Sequence, residues 1–218
     1  KRLYNFFVSK KLIPETQFGF RKGHSTSHAL NYSVDIIKNA QRQKKHVIGI
    51  FIDLSKAFDT LDHSILVKKL ENSGVRGSPL ALLTSYLSNR SQYTSIDGFD
   101  SDQQLIKCGV PQGSVLGPLL FLLYIADILN CHSTKHCEFV LYADDTNLFV
   151  IHENRELAIN KANIILKKVN EYMHCNLLHI NMNKCCFIHF DRKTRKSKNK
   201  NTMITESQNC IQIGDRVI

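Results

Sequence analysis

The chain has 218 residues, of which 43% are hydrophobic, and a formal net charge of +10. This composition excludes a disordered chain and suits one domain, or slightly more, with a real core. No apolar run reaches the roughly 18 residues that span a bilayer and the start is unlike a secretory signal, so we expect no membrane partner and an intracellular location, in the nucleus, the cytoplasm or both. Seven irregularly spaced cysteines indicate free thiols, and the positive charge favours a polyanionic partner.

The predicted elements mix helices and strands along the whole chain. Ser25 or Thr26 is expected to cap the first long helix, and a strand over residues 47–52 follows and runs directly into Asp53. Further along, two apolar runs flank Tyr-Ala-Asp-Asp at 142–145 and predict a β-hairpin. The other predicted elements, in order, are helices over 63–72 and 78–88, a hairpin of residues 92–96 and 104–108, a helix of about a dozen residues from 119, a helix over 155–172 and a strand over 185–190. This order predicts an α+β fold with a mainly antiparallel sheet.

Three acidic residues stand at the ends of these predicted strands. Asp53 ends the first strand, and Asp144 and Asp145 lie at the tip of the later hairpin. Adjacent acids in apolar surroundings are costly to leave unpaired, and hard divalent cations, which prefer oxygen ligands, would remove that cost. The alternative is ordinary turn chemistry, since Asp tolerates tight turns. A metal site is the first hypothesis for these acids.

Motifs around these acids resemble the palm of reverse transcriptases from non-LTR retrotransposons of the LINE type, jockey-like elements among them. Residues 51–59, Phe-Ile-Asp-Leu-Ser-Lys-Ala-Phe-Asp, are similar to motif A of that family. Residues 109–118, Gly-Val-Pro-Gln-Gly-Ser-Val-Leu-Gly-Pro, are similar to motif B, and Tyr-Ala-Asp-Asp at 142–145 to motif C. Residues 17–26 resemble the segment before motif A, and Asn-Met-Asn-Lys at 181–184 resembles motif D.

The resemblance implies a polymerase palm, which is a split βαβ arrangement with a mainly antiparallel sheet and helices on one face, together with part of the fingers. It divides the chain into partial fingers with a helical lead-in over 1–46, the palm with motifs A to D over 47–190, and a basic loop with the start of the hairpin before the primer grip over 191–218. Compared with the family, we expect a fragment that lacks the upstream basic fingers segment and the downstream thumb.

The implied activity is that of an RNA-directed DNA polymerase, which adds deoxynucleotides to the 3′-hydroxyl of a DNA primer on an RNA template. Asp53, Asp144 and Asp145 would be the catalytic acids and would hold two Mg²⁺ ions, with Mn²⁺ as a substitute. The carbonyl of Leu54 would complete one metal shell. The implied partners are the RNA template, the DNA primer and deoxynucleoside triphosphates.

Further residues are expected to serve the same reaction. Phe58 would exclude a 2′-hydroxyl, although it could simply anchor the turn after motif A in the core. Gln112 would hydrogen-bond the incoming nucleotide, or merely belong to a turn. Lys184 would donate a proton to pyrophosphate and Arg21 would contact the phosphate backbone, unless both are solvated surface charges. Asp59 is expected to cap the following helix.

Other interpretations stay open. One is a catalytically inert, nucleic-acid-binding remnant of a mobile element, and another is a different palm polymerase such as telomerase or an RNA-dependent RNA polymerase. Six positive charges within 192–200 predict a solvated loop, a nucleic-acid contact or a nuclear address. Zinc at Cys131, His132, His136 and Cys137 is disfavoured, because their spacing gives poor tetrahedral geometry.

Overall fold

The computed structural model describes residues 1–131, 136–191, 211–213 and 216–217. The helices in these ranges are α1 (Arg2–Ser9), α2 (Thr26–Arg42), α3 (His63–Asn72), α4 (Ser78–Leu87), α5 (Gly117–Ile125) and α6 (Arg155–Cys175), and a 3₁₀-helix, Ala126–Cys131, follows α5. The strands are β1 (His46–Ile52), β2 (Ser91–Gln92), β3 (Ser95–Ile96), β4 (Phe99–Asp100), β5 (Gln104–Leu105), β6 (Cys137–Tyr142), β7 (Asp145–His152), β8 (Cys186–Phe190), β9 (Gln212–Ile213) and β10 (Arg216–Val217).

The chain forms two compact units that are interleaved in sequence. The first unit contains Lys1–Ile13, Lys56–Ala126 and Asn176–Leu178, and the second contains Pro14–Ser55, Asp127–Cys175 and the described residues from His179 onward. These units cut across the expected division at residues 46 and 190, because each collects segments that are distant in sequence. The assignment of fingers and palm to 1–46 and 47–190 stays a prediction, and the basic run 192–200 lies outside the described residues.

The first unit is mainly helical. The side chain of Asp62 caps α3 by accepting a hydrogen bond from the backbone N–H of Ile65 at 2.9 Å, so the cap is Asp62 and not Asp59 as expected. The predicted hairpin forms as two short ladders, in which β2 pairs with β5 and β3 pairs with β4. Its tip is Asp97-Gly98, both with positive φ, as a tight hairpin turn requires.

The second unit is built on a four-stranded antiparallel sheet with strand order β6-β7-β1-β8. β1 is therefore a central strand, and six of its seven residues are hydrophobic or glycine, which suits burial on both faces. Ser25 caps α2 by accepting a hydrogen bond from the N–H of His28, as expected. The predicted α+β fold with a mainly antiparallel sheet is confirmed.

Helices cover both faces of this sheet. Ala29 of α2 packs in one cluster with Val47 and Phe149. These two residues point to the same face, because Phe149 pairs with Gly49, which lies two positions after Val47 on β1. On the opposite face Ile48 and Leu148 are also fully buried, and α6 contacts β1 and β7. The expectation of helices on one face needs this correction, since both sets of alternating side chains are apolar. No described helix has the length and apolar character needed to cross a bilayer.

Candidate active site

Asp53 and Asp145 stand side by side because of the register between β1 and β7. The two strands pair antiparallel as far as Ile52 and Thr146. Continuing that register by one step sets Asp53 opposite Asp145. Asp145 is the first residue of β7 and pairs with Tyr142, the last residue of β6. The sheet therefore gathers the acids of motifs A and C at one end.

Lys184 approaches Asp53 from the turn that precedes the other neighbouring strand. β1 pairs with β8 as far as Phe51 and Cys186, and Lys184 lies in the turn just before β8, where its N–H donates to the Asn181 carbonyl. The ammonium Nζ of Lys184 lies 3.7 Å from Oδ2 of Asp53, with the lysine side chain 67% exposed and the aspartate side chain 29% exposed. An ion pair this exposed contributes little stability, so its position beside the acids matters more than its strength.

The carboxylates are arranged in a way that suits cations. Among the described residues, Oδ1 of Asp53 is a buried oxygen with no hydrogen-bond partner, which is costly unless something binds it. Burial, followed by the neighbouring charges of Asp144 and Asp53, raises the pKa of Asp145, and Lys184 opposes this shift. Unsatisfied, mutually repelling carboxylates with oxygen-only donors are what hard divalent ions bind.

The backbone after β1 leaves the Leu54 carbonyl available. The N–H of Asn181 donates to the Asp53 carbonyl at 2.9 Å, and the N–H of Ser55 donates to the His179 carbonyl at 2.7 Å. These two bonds flank the antiparallel bridge of Leu54 with Ile180, so the Leu54 carbonyl faces away from residue 180. No backbone hydrogen bond of the described residues uses that carbonyl, which is compatible with its expected role as a metal ligand.

The turn between β6 and β7 is held by a residue that the sequence did not single out. Gln17 is 1% exposed, and its Oε1 accepts from the N–H of Ala143 at 2.9 Å and from the N–H of Gly19 at 2.7 Å. Its Nε2 donates to the Ala143 carbonyl at 3.2 Å. The only signal in the sequence was the likeness of residues 17–26 to a family segment, because 126 positions separate Gln17 from Ala143.

Arg21 is engaged by its own loop. Its Nη1 donates to the carbonyls of Pro14, Glu15 and Gln17 at 2.9, 3.2 and 3.0 Å. These bonds hold the lead-in segment in shape, a role that the sequence did not predict. The expected contact with a phosphate backbone stays a prediction, and the bonded carbonyls restrict how far the guanidinium can reach.

Phe58 and Gln112 lie in the first unit, where each has a defined neighbour. The half-buried ring of Phe58 stacks on Phe121, with centroids 4.6 Å apart and an interplanar angle of 28°. The stacking is what the core-anchor alternative requires, whereas exclusion of a 2′-hydroxyl by this ring stays a prediction. The exposed Gln112 donates from Nε2 to Oδ1 of Asp59 at 2.8 Å.

Hydrogen bonds join the loops of motifs A and B within the first unit. The N–H of Gly109 donates to the Leu61 carbonyl at 2.7 Å and that of Val110 to the Phe58 carbonyl at 2.9 Å. Gly109 has φ +83°, and a Cβ there would lie 2.7 Å from the carbonyl oxygen of Asp59. Only glycine fits at such a close approach, so the start of motif B is fixed against the turn after motif A.

Another polar cluster lies at the beginning of β1, away from the aspartates. Oxygen or nitrogen atoms of His46, His189 and Asp191 all lie within 4.8 Å of one another, and this is the one such set of three in the described part of the chain. The three aspartates are therefore more widely spaced than that. His46 Nδ1 is 3.2 Å from His189 Nε2 and 3.1 Å from Asp191 Oδ1, so these atoms already pair with one another.

The cysteine cluster gives no support to zinc. Burial raises the pKa of Cys131 to about 11 and that of Cys137 to about 12, and neither thiol belongs to the one set of three close metal-ligating groups in the described part of the chain. Cys131 Sγ donates to the Lys168 carbonyl at 3.7 Å. His132 lies outside the described residues.

Comparisons with known proteins agree with this geometry. The chain is 31% identical over 192 residues to the RNA-directed DNA polymerase from mobile element jockey of Drosophila melanogaster, and the aligned region covers 84% of this chain and 20% of that protein. It is 34% identical over 154 residues to the probable RNA-directed DNA polymerase from transposon BS of the same species, and that aligned region covers 67% of this chain and 17% of that protein. The chain thus spans about a fifth of the length of these relatives.

Solved structures share the fold at much lower identity. The structure of apo telomerase from Candida tropicalis superposes with a TM-score of 0.65 at 13% identity and covers all of this chain and 39% of the telomerase chain. Residues 1–210 match the family described as reverse transcriptase (RNA-dependent DNA polymerase). The resemblance to reverse transcriptases of jockey-like elements is confirmed, and the chain belongs to the reverse transcriptase family.

Proposed function

We propose that this chain forms the palm of an RNA-directed DNA polymerase, which adds deoxynucleotides to the 3′-hydroxyl of a DNA primer paired with an RNA template. The observation that carries this proposal is the register that brings Asp53 and Asp145 together, with Asp144 in the adjoining turn. Membership of the reverse transcriptase family supports the reaction class. We propose the activity, the substrates and an intracellular location, in the nucleus, the cytoplasm or both, for the protein as a whole.

Asp53, Asp144 and Asp145 would hold two Mg²⁺ ions, or Mn²⁺ in their place. When bound, the ions would polarise the reacting phosphate and stabilise the charges of the attacking and leaving oxygens. The orphan Oδ1 of Asp53 and the raised pKa of Asp145 support this donor set. The free carbonyl of Leu54 would add one further oxygen ligand, which is the ligand type that Mg²⁺ prefers.

Three side chains would act on the substrates directly. Lys184, exposed beside Asp53, would donate a proton to the leaving pyrophosphate. Gln112, whose amide is oriented by Asp59, would hydrogen-bond the incoming nucleotide. Arg21 would approach the phosphate backbone with the donors that its loop carbonyls do not use.

Phe58 would select deoxynucleotides by colliding with a 2′-hydroxyl. Phe58→Val should raise ribonucleotide incorporation about tenfold relative to deoxynucleotides, as expected for steric exclusion worth 1–3 kcal/mol. Phe99→Val, at a ring that is 83% exposed on β4, serves as the control. Unchanged discrimination in a primer-extension assay with Phe58→Val would assign the ring to packing on Phe121 alone.

The test of the function is Mg²⁺-dependent extension of a DNA primer on an RNA template. The wild-type protein as a whole should extend the primer, chelation of divalent ions should stop extension, and Asp53→Asn should abolish it with an unchanged circular dichroism spectrum. Asp35→Asn on the exposed surface of α2 is the matched control and should retain activity. Full activity of Asp53→Asn would contradict the proposal.

A second candidate is a nucleic-acid-binding remnant without catalysis, which the net charge of +10 supports. It predicts binding to a primer–template that weakens steeply with salt, and no extension by the folded wild-type protein as a whole. Extension under the conditions of the first test would exclude this candidate.

A further inference from the structure

The loop that carries Asp144 depends on one strained residue. Only Ala143 and Asp144 connect β6 to β7, and Ala143 has φ +56°. A non-glycine residue in this region is disfavoured and persists only when its surroundings hold it there. The backbone of Ala143 sets the direction of the next peptide plane, and therefore the direction in which Asp144 leaves the turn.

Gln17 holds both polar groups of this residue. It accepts from the Ala143 N–H and donates to the Ala143 carbonyl, so the φ and ψ angles of Ala143 are both fixed by one side chain. The orientation of the amide follows from its partners, because two backbone N–H groups require an acceptor, and only the amide oxygen can accept. Since Gln17 is 1% exposed, water cannot replace these bonds.

The segment around Gln17 is hydrogen-bonded to β6, which holds Gln17 against the turn between β6 and β7. The Phe18 N–H donates to the Leu141 carbonyl at 2.8 Å, and the Leu141 N–H donates to the Thr16 carbonyl at 2.9 Å, which forms a parallel β-bridge between Gln17 and Leu141 of β6. A Cβ on Gly19 would lie 2.1 Å from the backbone nitrogen of Ala143. Glycine is therefore required at position 19 for the close approach of this segment to Ala143. Arg21 donates hydrogen bonds to carbonyls of the same segment.

We propose that Gln17 is a positioning residue for catalysis, which holds the Ala143 peptide so that Asp144 meets the metal ions, and that Gly19 is needed for its approach. The inference rests on the proposed function, since it assigns Asp144 to a metal site. A glutamine anchored outside the three carboxylates would act as outer partners of metal ligands do, whose loss typically lowers metal affinity or activity by about 10–100-fold. Mg²⁺ is demanding in this respect, because it requires near-ideal octahedral geometry.

The experiment compares Gln17→Met with the wild type in the folded full chain. Methionine has a similar length and lacks the amide, so it removes the three bonds with little change in volume. We expect the Mg²⁺ concentration for half-maximal extension to rise about tenfold or more, kcat to fall, and the KM for deoxynucleotides to stay within about twofold of the wild type. Gly19→Ala should give the same signature by a different route.

Val47→Ala is the control for stability, because Val47 is fully buried in the same unit and lies at the far end of β1. It should lower the melting temperature without changing the half-saturating Mg²⁺ concentration. A wild-type half-saturating Mg²⁺ concentration in both Gln17→Met and Gly19→Ala would overturn the inference. An equal rise of that concentration in Val47→Ala would overturn it as well.

Titration calorimetry of Mg²⁺ separates this inference from the proposed function. If the wild type binds Mg²⁺ without extending primers, the polymerase proposal fails, and the inference still stands or falls on whether Gln17→Met weakens that binding. If the wild type extends primers and Gln17→Met binds Mg²⁺ as the wild type does, the inference alone fails.

Discussion

β1 carries a polar cluster at each of its two ends, and the two clusters differ in how their atoms are satisfied. At the beginning of the strand, His46 pairs with His189 and Asp191 at 3.2 and 3.1 Å. At the other end, Oδ1 of Asp53 is buried without a hydrogen-bond partner in the described residues, and neighbouring carboxylates contribute to the raised pKa of Asp145. The first cluster satisfies itself, while the second sets one exposed lysine beside three carboxylates and is left in need of further positive charge.

The difference teaches that strand ends in one sheet can be built for opposite purposes. Mixed donors and acceptors close on one another and stabilise the fold locally. Acceptors alone cannot do so, and they keep the sheet end open to cations and to the phosphates that accompany them. Sheet register alone does not distinguish the two ends, since it is continuous along β1.

The largest expected effect comes from substituting one residue in the cluster at each end of β1, in separate variants. Asp144→Asn should lower the rate of primer extension about a thousandfold, since a misplaced or missing metal ligand forfeits roughly 4 kcal/mol of transition-state stabilisation. His189→Gln should leave the rate within about twofold and cost about 1 kcal/mol of unfolding free energy through its lost hydrogen bond. Extension rates and chemical denaturation measure both. Equal losses of rate in the two variants would remove the distinction between the ends.

The next effect concerns the only cation that the described structure pairs with Asp53. Lys184→Gln should slow extension about a hundredfold, in the range of a lost general acid, with little change in stability because the ion pair is exposed. Lys167→Gln, on the exposed surface of α6, is the control. A loss of similar size in both variants would point to general electrostatics and not to proton donation.

The smallest effect is the pH dependence of stability without metal. The pKa of Asp145 is raised in the folded chain, so its contribution to stability is fully present below the pKa of an unfolded aspartate, about 3.9, and is lost as the pH rises through the raised folded value. Asp145→Asn removes this loss. The variant should therefore be more stable than the wild type at neutral pH.

Urea denaturation in the presence of a chelator measures this difference, which should close as the pH falls toward the unfolded value. Asp35→Asn should follow the wild type at every pH. A less stable Asp145→Asn chain at neutral pH would show that the carboxylate is satisfied within the fold.

Local patterns allowed much of the fold to be predicted. Ser25 at the start of α2, and Pro79 in the first turn of α4, gave helix starts that the structure confirms. The strand before Asp53 and the hairpin around 142–145 follow from short apolar runs with acidic ends. These features depend on residues close in sequence, which is why periodicity and capping rules detect them.

Contacts between distant segments were beyond such rules. Nothing near Gln17 indicates that its amide meets Ala143, and nothing near Arg21 indicates three carbonyl partners. Asp59 was expected as a helix cap, yet it orients Gln112 from a loop 53 positions away. A polar side chain chooses among partners that only the folded chain brings together, so its role cannot be derived from its neighbours in sequence.

The most direct test of the two-metal proposal is anomalous X-ray scattering from Mn²⁺ in crystals of the chain with a primed RNA template and an unreactive nucleotide. We predict two Mn²⁺ peaks ligated by Asp53 and Asp144, with Asp145 beside them. Mn²⁺ at His46, His189 and Asp191 with none at the aspartates would contradict the account.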